Sequence, residues 1–458
     1  MDFKAKIKED RESLVEDIKR LVSINSVEGA PKEGMPFGEG AAKALNCFLS
    51  MAEEMGFVVQ NFDNYAGHVD FGEGEEVVGI LGHMDVVPCG DGWVCDPFCP
   101  EVIDGKLYGR GVLDNKGPMA VCLHALKILK DMGVPLKKKV RLIIGANEET
   151  DWKCMDYYFN TKKVAPPQIS FTPDAEFPLT HAEKGVFQYQ LVTDVKEDVV
   201  LAGGNAYNSV AESAYVLLPE EMKDRAEALA KEWSSATGCR YEIGVENGKL
   251  KLEAFGFAAH AAHPEKGVNA VTGIMKAVHD LGLHDELGEI ADFYMEKIGD
   301  NLCGEKLGVG LEDEVSGKLS FNVGKAEVSD GKFILSIDNR VPVTFKCEDA
   351  QKLVEEGLTG TRFRFENPQI TESIYVPKDS FLVETLMEVY KDVTKDVDAV
   401  PQVDGACSYA RALDNCVAFG ALLPGQPDLM HQKNEYLELD RLDTWMRIYL
   451  DAIYRLAR

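Results

Sequence analysis

Apolar residues recur at spacings of three and four over residues 9–23 and 39–56, which predicts two amphipathic helices. FVVQNF (57–62), VVGIL (77–81), VRLIIGA (140–146) and ISFT (169–172) are short apolar runs that predict buried strands. Between them, PMAVCLHALKILKDMG (118–133) carries a Pro at its start and a Gly at its stop, the asymmetry of a helix. Strands alternating with helices in this way predict an α/β domain whose mostly parallel central sheet is covered by helices on both faces.

From about residue 187 the pattern changes. VFQYQLV, KLKLEAF, KLSFNVG and KFILSID alternate apolar and polar positions, and EEMKDRAEALAKEW and CEDAQKLVEEG predict long charged helices. This is the pattern of an antiparallel α+β insertion. The α/β pattern resumes near 379 with DSFLVETLMEVYKDV, a strand at NCVAFGALL and a final helix from Asp440. The expected organisation is a core domain of residues 1–186 and 379–458, interrupted by an inserted domain at 187–378. A length of 458 residues, beyond what one hydrophobic core serves, agrees with two domains.

Composition narrows the partners. The 77 acidic and 49 basic residues give a net charge of −28, which repels phosphate backbones and anionic headgroups, so neither nucleic acid nor a membrane surface is expected as a partner. The first twenty residues alternate charged and apolar positions without the apolar core of a signal peptide, and no run reaches the ~18 apolar residues of a membrane span. A soluble, cytoplasmic protein is expected. Eleven cysteines without an export signal imply reduced thiols, and Cys89, Cys95 and Cys99 lack the short paired spacing of a structural zinc site.

The chemistry-bearing residues follow the strands. His83 and Asp85 come directly after VVGIL, and a strand-end His-x-Asp places Asp85 to accept a hydrogen bond from the imidazole and fix its tautomer. Asp114 sits in the Gly-rich turn GRGVLDNKGP. Glu148 and Glu149 follow VRLIIGAN, Asp174 follows ISFTP, and His431 lies on the loop after CVAFGALL. All would arrive at one edge of the sheet. Two imidazoles with Asp114, Glu149 and Asp174 are too many ligands for one tetrahedral site and suit a pair of divalent ions sharing a bridging carboxylate. Two dications, three carboxylates and a bridging hydroxide sum to neutrality, and such a pair lowers the pKa of water toward ~7. Glu148, beside a ligand but not needed as one, is the expected general acid/base. Zinc fits this mixed donor set, and manganese or cobalt would also fit.

GHMDVVP (82–88), WVCDPF (93–98), LYGRGVLDNKGP (107–118), NEET (147–150), TPDAEFP (172–178) and HQKNEY (431–436) resemble, in order, the motifs of the co-catalytic zinc exopeptidases, which include carboxypeptidase G, aminoacylase and succinyl-diaminopimelate desuccinylase. DNKGP, EETDW followed by MDYY, and DAEFP followed by EKG resemble the dipeptidase branch. The resemblance implies a zinc-exopeptidase-type catalytic domain with a lid inserted in it. It also implies His83 and Asp174 on one zinc, Glu149 and His431 on the other, Asp114 bridging, Glu148 as acid/base and Asp85 orienting His83.

In the insertion, GFAAHAAHPEKGVNA (256–270) resembles the family's lid motif, which implies that His260 donates to the oxyanion of the tetrahedral intermediate. His263 does not read as a partner in a second metal pair, because no carboxylates accompany it and a Pro follows. Asn208 in GGNAYNSVA and Arg340 in SIDNRVP match positions that contact the substrate carbonyl and its C-terminal carboxylate, the latter a task suited to a guanidinium. Ser408, in GACSYAR, is a further expected substrate contact. There Ala406 and Cys407 depart from the family's triple-glycine turn, and Ala211 stands where a Pro is usual. His68, His124, His181, His279 and His284 match no motif, and His124 is expected to be a satisfied core or boundary histidine.

The expected function is a two-zinc aminopeptidase that hydrolyses dipeptides with a metal-bridged hydroxide, its lid closing over a short substrate and the chain acting as a monomer. The alternative is an N-acyl amino acid deacylase or desuccinylase on the same metals. A non-catalytic binding protein is opposed by the complete set of ligands and Glu148. A thiol-based redox protein would lose activity to alkylation and not to chelators.

Overall fold

The computed structural model describes residues 3–196, 198–405 and 407–458, so the Ala406 departure lies outside the described residues. The chain divides into two compact units. One is built from the chain up to His181 with Val376–Gln402 and Ser408–Arg458. The other is built from Ala182–Tyr375 with the short stretch at 403–407.

In the first unit the central sheet contains β1 (Val58–Phe62), β2 (Ala66–Phe71), β3 (Val77–His83), β4 (Lys139–Gly145), β5 (Ile169–Thr172) and β6 (Cys416–Ala418), in the order β1-β2-β4-β3-β5-β6. The inner pairs β4/β3, β3/β5 and β5/β6 are parallel, and β1/β2 and β2/β4 are antiparallel. Val78, Ile80 and Leu81 of β3 are all buried, as a strand with neighbours on both sides requires. FVVQNF does not form the buried strand that its composition predicts. β1 is an edge strand, with no strand paired to its outer side among the described residues, and Val58 is 74% exposed. NCVAFGALL forms two strands rather than one. β6 ends at Ala418, the chain turns at Gly420 (φ 79°), and Ala421–Leu422 pairs in parallel with Ala175–Glu176.

The long helices of this unit are α1 (Lys4–Val22), α2 (Gly38–Glu54), α3 (Lys116–Asp131), α4 (Phe381–Thr394) and α5 (Leu442–Ala457). Pro118 falls in the first turn of α3, two residues inside its start, where the missing N–H has no intrahelical partner to lose. Thirteen of the sixteen α3 residues are buried, because α3 packs against β3, α1 and α5. His124 of α3 is fully buried and satisfied, as expected of a core histidine, and its partners are carboxylates. Its Nδ1 is 2.5 Å from Asp10 and its Nε2 2.9 Å from Asp17, both on α1, while Lys127 reaches the other Asp10 oxygen at 2.9 Å.

The second unit carries an eight-stranded antiparallel sheet in the order 240–246, 249–255, 213–219, 200–204, 320–329, 332–341, 185–194, 364–371. Residues 185–191 and 250–255 alternate between buried and partly exposed, and the unit also contains helices 223–237, 270–281, 286–297 and 347–357. Phe187, Tyr189, Val216, Leu252, Ile274, Ala291 and Leu335 belong to its core. No helix among the described residues is long and apolar enough to cross a membrane.

Candidate metal centre

Because β3, β4, β5 and β6 run in one direction, their carboxyl ends share one edge of the sheet. His83 is the last residue of β3. Glu148 and Glu149 follow β4, Asp174 follows β5, and His431 lies beyond β6. Asp114 enters from the turn before α3. That turn can approach because residue 82 is Gly: a Cβ there would strike Met119 and the amide of Asn115.

His83 is fully buried. Its Nδ1 is 3.0 Å from the main-chain carbonyl of Asp85, an acceptor, so the neutral ring carries its proton on Nδ1 and its lone pair on Nε2. Nε2 lies 3.0 Å from Asp114 Oδ1 and 3.6 Å from Asp174 Oδ2. His431 Nε2 is 3.0 Å from Asp114 Oδ2 and 3.0 Å from Glu149 Oε2. Ligand atoms of His83, Asp114 and Asp174 lie within 4.8 Å of one another, as do those of Asp114, Glu149 and His431. Asp114 is common to both triplets, one oxygen turned to each histidine. A third group within the same limit joins Glu148 to His83 and Glu149.

The Asp85 carboxylate does not take the bond expected of it. It stands 3.4 Å from His83 Nδ1, while its Oδ2 accepts the N–H of Glu149 at 3.0 Å. Asp85 thus orients His83 through its carbonyl and the Glu149 segment through its side chain.

The electrostatics are those of crowded carboxylates. Burial, then repulsion from Asp114, raises the pKa of both Asp174 and Glu149. Burial also raises Glu148, where attraction to His83 is outweighed by Asp174, Glu149 and Asp114. Asp114 is held low in spite of burial, because both histidines hydrogen-bond to it. His83 is pushed up despite burial by Asp174, Asp114 and Asp85, and His431 is pushed up by Asp114 and Glu149. In effect the imidazoles stand in for cations between the carboxylates. The donor set, two imidazole nitrogens and three carboxylates in two triplets sharing one carboxylate, fits two divalent ions. A cavity of about 480 Å³ adjoins it, lined by Glu28, Asp85, Val87, Pro88, Glu149 and Thr150.

Three residues that the sequence did not single out support this edge. Asn115 Nδ2 donates to Pro173 O (2.7 Å) and Asp174 Oδ1 (3.1 Å), and its Oδ1 accepts the His83 N–H (3.3 Å). Trp152, in a left-handed conformation (φ 56°), donates its indole N–H to Glu148 Oε1 at 3.2 Å. Glu435, fully buried, accepts from Arg110 and from the backbone N–H groups of the Asp114 turn. Each lies inside a quoted motif, but Asn115 stands between Asp114 and Lys116 and Glu435 between Asn434 and Tyr436, so neither is set apart from ordinary polar loop residues in the sequence.

The second unit gathers its own candidates. Ser209 bridges to His260, and the Ala261 N–H donates to Asn208 O at 2.9 Å. Ser320, paired with Arg340 across adjacent strands, donates its hydroxyl to Ala261 O at 3.2 Å. Ala262 N–H donates to His260 Nδ1 at 3.2 Å, so neutral His260 carries its proton on Nε2. Arg340, 4% exposed, is clamped by Asp338 (Nε 2.7 Å, Nη2 3.0 Å) and donates from Nη1 to Gly405 O at 2.7 Å. Ser408, in the first unit, caps the turn Tyr409–Ala412, its Oγ accepting from Ala410 N–H at 3.2 Å. His263 stands 3.4 Å from Glu265.

Comparison with known proteins adds the following. Residues 79–455 match the model of peptidase family M20/M25/M40. The chain is 36% identical over 470 residues, 100% of both chains, to a Bacillus subtilis (strain 168) protein named "Putative dipeptidase YtjP". It is also 36% identical over 469 residues, 99% of both chains, to a Staphylococcus epidermidis protein named "Putative dipeptidase". Among solved structures, human carnosine dipeptidase 1 is similar with a TM-score of 0.57 at 16% identity, over 100% of this chain and 99% of that one. The aminoacylhistidine dipeptidase of Vibrio alginolyticus is similar with a TM-score of 0.56 at 13% identity, over 97% of this chain and 96% of that one. At those identities the structural likeness establishes the fold.

Proposed function

The chain belongs to peptidase family M20/M25/M40, and from that premise we propose that it is a metal-dependent dipeptidase, an aminopeptidase that hydrolyses the peptide bond of dipeptides. The observation that carries the proposal is the pair of ligand triplets sharing Asp114, with Glu148 beside them. Full-length similarity to proteins named as dipeptidases favours this substrate over an N-acyl amino acid.

His83 and Asp174 are assigned to one ion, Glu149 and His431 to the other, and Asp114 to both, with zinc the first candidate and manganese or cobalt next. Two such ions, when bound, polarise the scissile carbonyl and lower the pKa of water toward ~7. Glu148 moves the protons. Trp152 occupies Oε1, so Oε2 takes the proton from the attacking water and passes it to the leaving amine. Asp85 holds His83 with its lone pair on Nε2.

The inserted unit is assigned a role as lid. His260 offers Nε2–H to the developing oxyanion, and Asn208 is assigned to the substrate carbonyl. Arg340 has five N–H groups and, among the described residues, uses three on Asp338 and Gly405; the other two are assigned to the substrate's C-terminal carboxylate.

The test is hydrolysis of a dipeptide panel beside N-acetyl and N-succinyl amino acids, before chelation, after it, and after zinc, manganese or cobalt is returned. The proposal expects dipeptide cleavage that chelation abolishes and metal restores. Release from acylated substrates alone would move the protein to the deacylases.

A further inference from the structure

Glu435 lies in HQKNEY, four residues after His431, and is 0% exposed. Its carboxylate is engaged on every side by the turn that carries Asp114. Oε2 accepts from Arg110 Nη1 at 2.7 Å and Gly111 N–H at 3.0 Å. Oε1 accepts from Leu113 N–H at 2.8 Å and Asp114 N–H at 3.3 Å. Its own carbonyl accepts the Gly109 N–H at 3.1 Å. Neighbouring residues continue the seam. Asn434 Oδ1 accepts Val94 N–H at 2.7 Å, and Tyr436 pairs with Tyr108 across two antiparallel strands.

Successive backbone N–H groups converging on one carboxylate form a concave anion cradle, and Gly111 (φ 94°) gives the turn the curvature this needs. The cradle holds together two loops that are more than 300 residues apart in sequence. One delivers the carboxylate shared by both triplets, and the other delivers the more exposed of the two imidazoles, whose side chain is 54% exposed. The side-chain contacts of this exposed histidine with Asp114 and Glu149 are thus backed by a buried backbone connection between the two loops.

We propose that Glu435 is the positioning residue that locks the Asp114 turn to the His431 loop, and so sets the affinity of the ion assigned to Asp114, Glu149 and His431. It touches neither substrate nor ion and acts through the backbone. Glutamine in its place keeps one acceptor oxygen but turns the other into a donor that faces Arg110 or the N–H groups of the turn. The His431 loop then loosens, while His83 and Asp174, at the ends of β3 and β5, keep their places. The inference rests on the ligand assignment above.

The test is titration of the metal-free, full-length protein with Co²⁺ against a chromophoric chelator, with the Co²⁺ visible absorption spectrum recorded and folding checked by circular dichroism. Wild type is expected to bind two ions. Glu435→Gln is expected to weaken one by about 10–100-fold and to change that ion's spectrum, while the other, which shares Asp114 but keeps His83 and Asp174, is weakened distinctly less. Glu435→Asp, which keeps the charge on a shorter arm, is expected to fall between them, and it is read in the same way if the glutamine variant does not fold. Wild type binding fewer than two ions would overturn the ligand assignment. Two ions in wild type, with affinities and spectra unchanged in folded Glu435→Gln, would overturn the role of Glu435 alone. Equal weakening of both ions, or failure of both variants to fold, would also overturn it, since Glu435 would then serve the fold as a whole.

Discussion

Glu148→Gln isolates the proton carrier from the ligands. Glutamine has the same shape and can still accept the Trp152 indole N–H at Oε1, so the segment carrying Glu149 keeps its place. At the other position it presents an amide, which cannot take a proton from water. A positioned acid/base contributes about 10²–10⁴-fold, roughly 2.7–5.4 kcal/mol at 1.36 kcal/mol per tenfold. The upper half of that range is expected here, since one carboxylate both collects the proton and delivers it. The assay is steady-state hydrolysis of a good dipeptide, with metal content measured on the same preparation. kcat should fall on the order of 10³–10⁴-fold, with KM within a few-fold and two metal equivalents retained. A variant that keeps two equivalents and a kcat within tenfold of wild type would refute the reasoning. Loss of one equivalent together with activity would instead make Glu148 a ligand, a role its grouping with His83 and Glu149 allows geometrically.

Asp114→Ala removes the carboxylate common to both triplets and should lower metal content at both positions, whereas His431→Ala should lower it at one; elemental analysis after gel filtration distinguishes them. Arg340→Met should raise KM for dipeptides by roughly 10–100-fold, the value of about 1.5–3 kcal/mol for hydrogen bonds to a charged group, and should leave dipeptide amides nearly unaffected. His124→Gln should weaken the α1–α3 contact by roughly 3–5 kcal/mol, because Asp10 and Asp17 lose the charge between them, as read by hydrogen exchange in the two helices. Its pH dependence has a definite sign. Burial opposes the charged His124 ring, but Asp10 and Asp17 raise its pKa, so its contribution is full below about 6.5 and is lost as pH rises through the higher folded value. Asp10 is held low, against burial, by His124 and Lys127, so its share is present above about 3.9 and fades as pH falls through its folded value. The advantage of wild type over the glutamine variant should peak between these limits and shrink on the alkaline side.

What could be read from the sequence follows from sheet topology. Parallel strands deliver their carboxyl ends to one edge, so an imidazole or carboxylate directly after each apolar run could be placed with its fellows before any coordinates were known. The same reasoning misplaced FVVQNF, because apolar content does not distinguish a central strand from an edge strand, and pairing partners are decided by chain segments far away. It also gave the Asp85 carboxylate a bond that its own carbonyl makes at 3.0 Å, since a sequence names side chains and says nothing of which backbone oxygen a turn brings nearer. His124 was legible as a satisfied core histidine, but not its two acidic partners, which lie a helix turn or more apart on α1 and become its neighbours only when α1 packs on α3.

Glu435 marks where that reading stops. A residue whose partner is an ion must be one of a few types, and histidine, present nine times, is rare enough to point to a site. A residue whose partners are backbone N–H groups is one carboxylate among 77, identical in type to those that solvate the surface. Its role is conferred by the turn it fills, and that turn owes its shape to a glycine and a run of main-chain donors that any sequence possesses. The acidic excess of this chain therefore has at least three physical meanings: carboxylates assigned to metal, a carboxylate that holds a ligand-bearing loop, and the many that keep the surface solvated. Burial and hydrogen-bond partners separate the second from the third, and composition cannot.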